Sequence, residues 1–271
     1  MHIKLLIRAG VILLLAGVST GCVIGNRPRI VSTGSRSVGI TFYLDGAGNI
    51  GFGKESLPLG LADGGYRGYV EHFIWTTYLG PVLDQMWLRH NRREGELLAR
   101  KIEDYLRLHP GGHVNLVGLS AGTGIAVFAL EALRPGARVD HVVMLSSSLS
   151  DRYDLSRALS HVNKGRFFFW SPDDPILKRA VPIIGTVDRA GFGAAPAGRS
   201  GARLPEQITD LTRRAYQKVY NVRWSPDEGD GWLRLKHAGS VQRGIIRDQV
   251  APILMNRASV RAVPVVEYAN Y

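Results

Sequence analysis

The amino-acid sequence predicts an α/β fold, a doubly wound and mostly parallel sheet with helices on both faces. From Val38 onward, short apolar runs alternate with stretches of helical periodicity, as expected of parallel strands joined by crossover helices. Right-handed crossovers then cover both faces of the sheet. The 271 residues are 45% hydrophobic with a mean hydropathy of -0.02. That is enough for one domain with a real core, and too balanced for a disordered, collagenous or polytopic membrane chain.

Residues 38–44 read as the first strand, ending at Asp45-Gly46-Ala47-Gly48, and a Gly-rich loop fills 46–68. Residues 70–75 are a second strand candidate. Over 89–108, Leu97, Leu98, Ile102, Tyr105 and Leu106 recur at helical spacing, and Pro110-Gly111 stops the helix. Residues 114–119 form an apolar strand. The helix at 121–133 is apolar almost all round and so buried; Pro135-Gly136 ends it. Next come a strand at 139–145, a helix near 154–162, a strand at 166–170 and a helical stretch at 176–184 interrupted by Pro182. Residues 185–205, rich in Gly, Ala and Pro, read as a long cap-like loop of the functional or mobile kind. A helix near 206–217, a strand at 219–224 and a helix near 240–256 complete the pattern. No internal repeat or linker divides residues 38–271. Ligands of such sheets sit at the carboxyl ends of the strands, so chemistry is expected just after Leu44, Leu119, Leu145, Trp170 and Trp224.

The first 21 residues carry Lys4, Arg8 and no acid, then an apolar run at 9–18 and Ser19-Thr20-Gly21-Cys22. A positive start, a short apolar core and small residues before a cleavage point describe a secretory signal. The apolar run is shorter than the roughly 20 residues a transmembrane helix needs. The segment resembles a bacterial lipoprotein signal peptide with Gly21-Cys22 at the core of the lipobox, although Ser19 stands where the pattern has Leu. The resemblance implies lipidation of Cys22 and a membrane-anchored envelope location. Val23 after the cysteine favours the outer membrane where the cell has one. An ordinary secretory signal and an uncleaved anchor are the alternatives. Residues 22–37 read as a tether. Cys22 is the single cysteine, which excludes an internal disulfide framework and a Cys-rich zinc site and suits an oxidising compartment.

The chain carries 34 Lys+Arg against 23 Asp+Glu, a formal net charge of +11. The basic residues are scattered, with Arg92-Arg93 and Arg213-Arg214 the densest pairs. That pattern argues for a solvated surface attracted to anionic envelope surfaces and against a nucleic-acid partner. No H-E-x-x-H, G-x-x-x-x-G-K-[ST] or strand-linked G-x-G-x-x-G occurs, so no metal or cofactor is expected.

Gly118-Leu119-Ser120-Ala121-Gly122 is a G-x-S-x-G pentapeptide. It follows the apolar strand at 114–119 and opens the helix at 121–133, the strand–turn–helix context of a nucleophile elbow. Gly118 and Gly122 relieve crowding in that turn. On this pentapeptide, the loop 45–48, and an acid and a histidine that follow in the order Ser, acid, His, the chain resembles the α/β-hydrolase superfamily over roughly residues 38–260. The resemblance implies a triad with Ser120 as nucleophile. His237, the only histidine after the strand at 166–170, would be its base. Asp174 in Ser171-Pro172-Asp173-Asp174-Pro175 would be the acid, with Asp173 as the alternative. Asp151 and Asp154, after the preceding strand, hold a less common acid position. The backbone N–H groups of Ala121 and Ala47 would form the oxyanion hole.

A serine hydroxyl is a weak nucleophile until an imidazole takes its proton, and the carboxylate fixes the tautomer of that imidazole. The implied activity is hydrolysis of a carboxylic ester, on a small-molecule or lipid substrate, through an acyl-serine. Thioesterase, amidase and acyltransferase chemistry share that intermediate. A non-catalytic envelope lipoprotein that binds or scaffolds is the alternative from another class. Four further residues stay open. Asp45 orients its loop or caps a turn; Trp75 lines an acyl pocket or packs; Asp188 and Arg189 touch substrate or lie on the surface.

Overall fold

The computed structural model describes residues 34–191, 193–225, 237–257 and 261–268. The signal segment, Cys22 and most of the expected tether lie outside the described residues. Within them the chain is the expected doubly wound α/β sheet. Seven strands, β1 Ser35–Leu44, β2 Gly68–His72, β3 Val114–Leu119, β4 Val139–Leu145, β5 Val162–Trp170, β6 Val219–Arg223 and β7 Ala262–Pro264, lie in the order β2-β1-β3-β4-β5-β6-β7. The first six pair in parallel. The last pairs antiparallel to β6.

The central strands are buried on both faces, because successive side chains point to opposite sides. Phe42, Leu116, Val142 and Phe168 enter one apolar cluster, whereas Tyr43, Val117, Val143 and Phe169 enter the other. The first cluster is closed by helices α3 Leu88–Leu108, α4 Gly122–Ala132, α5 Ser156–Leu159 and α9 Asp210–Tyr216. The second is closed by α1 Ser56–Asp63 and the helical stretch α10 at 243–254. Short helices α2 Pro81–Met86, α6 Pro175–Arg179, α7 Val181–Ile184 and α8 Ala197–Ser200 lie in the connections, and α11 Val265–Tyr268 follows β7.

Several elements depart from the sequence pattern, each for a physical reason. α1 stands inside the expected Gly-rich loop. Pro58 is tolerated in its first turn, and Gly60 is a packing position, because a Cβ there would meet Ile246 Cβ at 2.7 Å. β1 starts three residues ahead of expectation, and those residues are exposed and lack apolar signal. β2 stops at His72, short of the expected end at residue 75. β5 begins at Val162, which reduces the helix expected at 154–162 to α5. α10 contains a widened turn, Ile246–Val250, where the Ala251 N–H reaches back to Ile246 O. Pro252 lacks the N–H that a regular ladder requires there. β7, unforeseen, tolerates Pro264 because it is an edge strand. The described residues of 185–205 include the short helix α8 and are hydrogen-bonded to the segment after β4. Val187 N–H donates to Ser148 O at 3.1 Å, Ala197 N–H to Leu149 O at 2.8 Å and Gly198 N–H to Ser147 O at 2.8 Å.

Strand order reverses between β1 and β3, so the ends of these two strands flank the crevice of the doubly wound sheet. The loop Asp45–Gly48 and Ser120 leave from those two strands.

On β4, His141 is buried, with Nδ1 3.1 Å from Asn115 Oδ1. Burial first, then Lys164, pushes its pKa down to about 4, against the pull of Asp140. The folded imidazole thus resists protonation that the unfolded chain accepts below about 6.5. Its contribution to stability is full above that pH and is lost as pH falls toward 4. A shift of that size corresponds to at most about 3 kcal/mol. Urea unfolding of His141→Gln at pH 7 and pH 5 should show a shallower loss of stability with acid than the wild type.

Candidate active site

Ser120 is the turn between β3 and α4. Its φ is +51°, in the left-handed region that a non-glycine residue occupies only when its surroundings hold it there. Ser120 N–H donates to Leu145 O at 2.9 Å, and Ser120 O accepts from Thr123 N at 3.1 Å and from the Thr123 hydroxyl at 2.5 Å. The two glycines of the pentapeptide are steric requirements. A Cβ on Gly118 would lie 2.9 Å from Thr123 Cα, and one on Gly122 would overlap the carbonyl oxygens of Leu44 and Asp45. The elbow therefore packs directly against the end of β1.

Asp174 and His237 come together from distant parts of the chain. Asp174 caps α6: its Oδ1 accepts the N–H groups of Ile176 and Leu177, both at 3.0 Å. Its Oδ2 lies 2.6 Å from His237 Nδ1. The carboxylate is fully buried and His237 is 7% exposed. A carboxylate oxygen accepts, so Nδ1 is the donor in this pair, and in the neutral imidazole of that tautomer Nε2 keeps its lone pair. His237 stands two residues before the turn Gly239–Val241. In that turn Ser240 Oγ lies 3.1 Å from Ser146 Oγ. Ser146 follows β4, itself in a left-handed backbone at φ +45°, and Leu145 pairs with Leu119. The histidine segment is thus pinned to the strand end beside the one that carries Ser120.

Asp173 is exposed and is not the partner of His237. Asp151 accepts from Ser200 Oγ at 3.2 Å and lies 3.5 Å from Arg203 Nε, and Asp154 accepts the Ser156 N–H. Both alternative acids are spent away from His237.

The loop after β1 is built around Asp45, which is fully buried. Oδ1 accepts from the Tyr43 hydroxyl and Gly46 N–H, each at 2.9 Å. Oδ2 accepts from Gly51 N–H at 2.5 Å and Phe52 N–H at 3.1 Å. Burial, with Asp45 beside it, pushes the Tyr43 hydroxyl well up, so it stays a donor. Asp45 therefore orients the loop. Trp75 is buried packing, and its indole N–H donates to Asp45 O at 2.9 Å. A Cβ on Gly46 would lie 3.4 Å from Ser120 Cβ, so this loop runs beside the nucleophile position. The amides of Ala47 and Ala121 donate to no acceptor among the described residues.

Asp84, which carries no sequence signal beyond being the lone acid of α2, is a second buried anchor. It accepts from Gly48 N–H at 2.8 Å, the Thr76 hydroxyl at 2.6 Å, and the Thr77 N–H and hydroxyl at 2.7 and 2.5 Å. Beside it, Gln85 bridges Gly185 O at 3.0 Å and the Ser148 hydroxyl at 3.2 Å. Asp188 accepts the N–H and hydroxyl of Ser150, and Arg189 donates to Ile184 O. Both are thus engaged within the protein. Among the described residues no group of His, Cys, Asp and Glu could hold a metal ion.

Asp45→Asn keeps the shape but turns an NH2 group toward two N–H donors. We expect it to cost about 3 kcal/mol, as for a buried charged hydrogen-bond hub that loses its acceptors. Urea unfolding midpoints of the variant and the wild type measure the difference.

No family model matches this chain, and no curated protein does.

Proposed function

We propose that the protein is a serine hydrolase of the α/β-hydrolase superfamily that cleaves carboxylic esters through an acyl-Ser120 intermediate. The observation that carries the reading is Ser120 held at positive φ between β3 and α4, with a buried Asp174–His237 pair anchored to the neighbouring strand ends. A left-handed serine is costly, and such strain persists where the surrounding structure insists on it.

Each residue then has a chemical task. His237 Nε2 takes the proton of Ser120 as its oxygen attacks the substrate carbonyl, and returns that proton to the departing alcohol. Water, deprotonated by the same nitrogen, then cleaves the acyl-enzyme and restores the serine. Asp174 holds the tautomer and stabilises the imidazolium. Its two α6 amide bonds fix its direction. The amides of Ala121 and Ala47 receive the negative charge that develops on the carbonyl oxygen. The loss of one such donor costs about 2.7–4 kcal/mol of barrier. Asp45, Trp75 and Asp84 act through the Asp45–Gly48 loop: they position the Ala47 amide and touch no substrate.

The location belongs to the same proposal. The Lys4–Cys22 segment supports a lipidated N-terminus at the bacterial envelope. Among the described residues no helix is long and apolar enough to cross a membrane.

The test is labelling of the purified chain with a fluorophosphonate, beside turnover of short-chain p-nitrophenyl esters. Both should vanish in Ser120→Ala and His237→Ala. Asp174→Asn, which leaves His237 free to take the wrong tautomer, should lower kcat by a factor on the order of 10⁴. A folded wild type that neither labels nor turns over would refute the reading and leave a binding or scaffolding module.

A further inference from the structure

The rim beside the candidate site exposes large apolar side chains that nothing in the chemistry uses. Tyr78 is 68% exposed, Leu79 66%, Leu83 42%, Met86 39% and Trp87 48%; across α7, Ile183 is 40% exposed. They form one surface. α2 and α7 pack together and Gln85 ties α2 to Gly185. A Cβ on Gly48 would lie 3.4 Å from Pro81 Cβ, which joins the rim to the Asp45–Gly48 loop.

The presentation of Tyr78 and Leu79 is built, not incidental. Tyr78 has φ +60°, left-handed for an aromatic residue. Its N–H donates to Thr76 Oγ1 and that of Leu79 to Thr77 Oγ1, both at 3.1 Å. Both threonine hydroxyls are in turn held by Asp84. A strained turn braced by a buried carboxylate thus holds an aromatic and a leucine out into solvent, and a contiguous apolar patch on a soluble surface marks something that covers it.

Charge names the occupant. Residues 73–93 and 176–191 contain two acids, Asp84 and Asp188, and both are consumed inside the protein. The same segments expose Arg89, Arg93, Lys178 and Arg179. An apolar patch containing Tyr and Trp, with flanking cations that outnumber the nearby acids Asp173, Glu94 and Glu96, matches the interface of an anionic bilayer. There, aromatic rings sit at headgroup level and basic residues face lipid phosphates.

We propose that this rim is a membrane-docking face: Tyr78, Leu79, Leu83, Met86 and Trp87 enter the interface of an anionic lipid bilayer, and the flanking arginines and lysines pair with its headgroups. The docked mouth of the crevice then opens toward the lipid. The proposal does not rest on the hydrolase reading, because docking needs no turnover.

The experiment uses the full chain with Cys22→Ser and a single environment-sensitive dye attached through Leu79→Cys. A control carries the dye at Leu108→Cys, which is 64% exposed at the far end of α3. Vesicles of phosphatidylcholine with phosphatidylglycerol should blue-shift and brighten the dye at 79 and leave that at 108 unchanged. The shift should persist with Ser120→Ala. With the dye moved to Met86→Cys, Leu79→Asp should weaken partitioning about tenfold or more. Arg89→Gln and Arg93→Gln should each weaken it about fivefold. A chain that sediments with vesicles while the dye at 79 stays unchanged overturns the proposal, because the N-terminal segment then carries binding alone. A shift at 79 that grows with protein concentration and ignores vesicles also overturns it, in favour of a second copy on the rim.

Discussion

A carboxylate sealed from water at the end of β1 organises much of this molecule. Removing an ion from water costs several kcal/mol unless hydrogen bonds replace its hydration. Asp45 recovers that cost from one hydroxyl and three backbone amides. Those amides belong to a loop with no regular structure of its own, so the charge fixes the path of the loop. The loop in turn forms the wall against which Gly122 packs without a side chain, and through Gly48 it reaches Asp84. The elbow, the loop beside it and the apolar rim are therefore parts of one hydrogen-bonded assembly rooted in the switch point of the sheet.

The sequence was most legible where burial on both faces makes a strand apolar throughout. β3 and β4 run over the residues that periodicity marks, because their side chains have no solvent-facing position to blur the pattern. α3, whose stripe includes Leu98, Ile102 and Tyr105, was as plain. Legibility failed where tertiary contacts override local preference. α1 contains Pro58 and Gly60, both read as loop residues, yet α10 packs so close to Gly60 that a Cβ there would meet Ile246. β7 is three residues long and ends in proline, so only its pairing with β6 makes it a strand.

At the candidate site the residue types and their order were legible, because the G-x-S-x-G pentapeptide stands between an apolar strand and a buried helix. The choice of Asp174 over Asp173 was less so, and the structure supplies a physical distinction: Asp174 caps α6 and is buried against His237, whereas its neighbour is exposed. The supporting carboxylates were not legible in their roles. Asp84 sits in a stretch with no motif, and its task appears only when Thr76, Thr77 and Gly48 converge on it. Ser240 is similar: a serine three residues after His237 acquires meaning only through Ser146, 94 residues earlier.

That separation has a consequence for the timing of assembly. The Asp174–His237 contact spans 63 residues and the Ser146–Ser240 contact 94, so neither forms until the last part of the chain has docked. A serine without its base is nearly inert. The nascent polypeptide carries Ser120 long before the Asp174–His237 pair can form. If Ser120 is the nucleophile proposed above, its base arrives only with the closing step of folding.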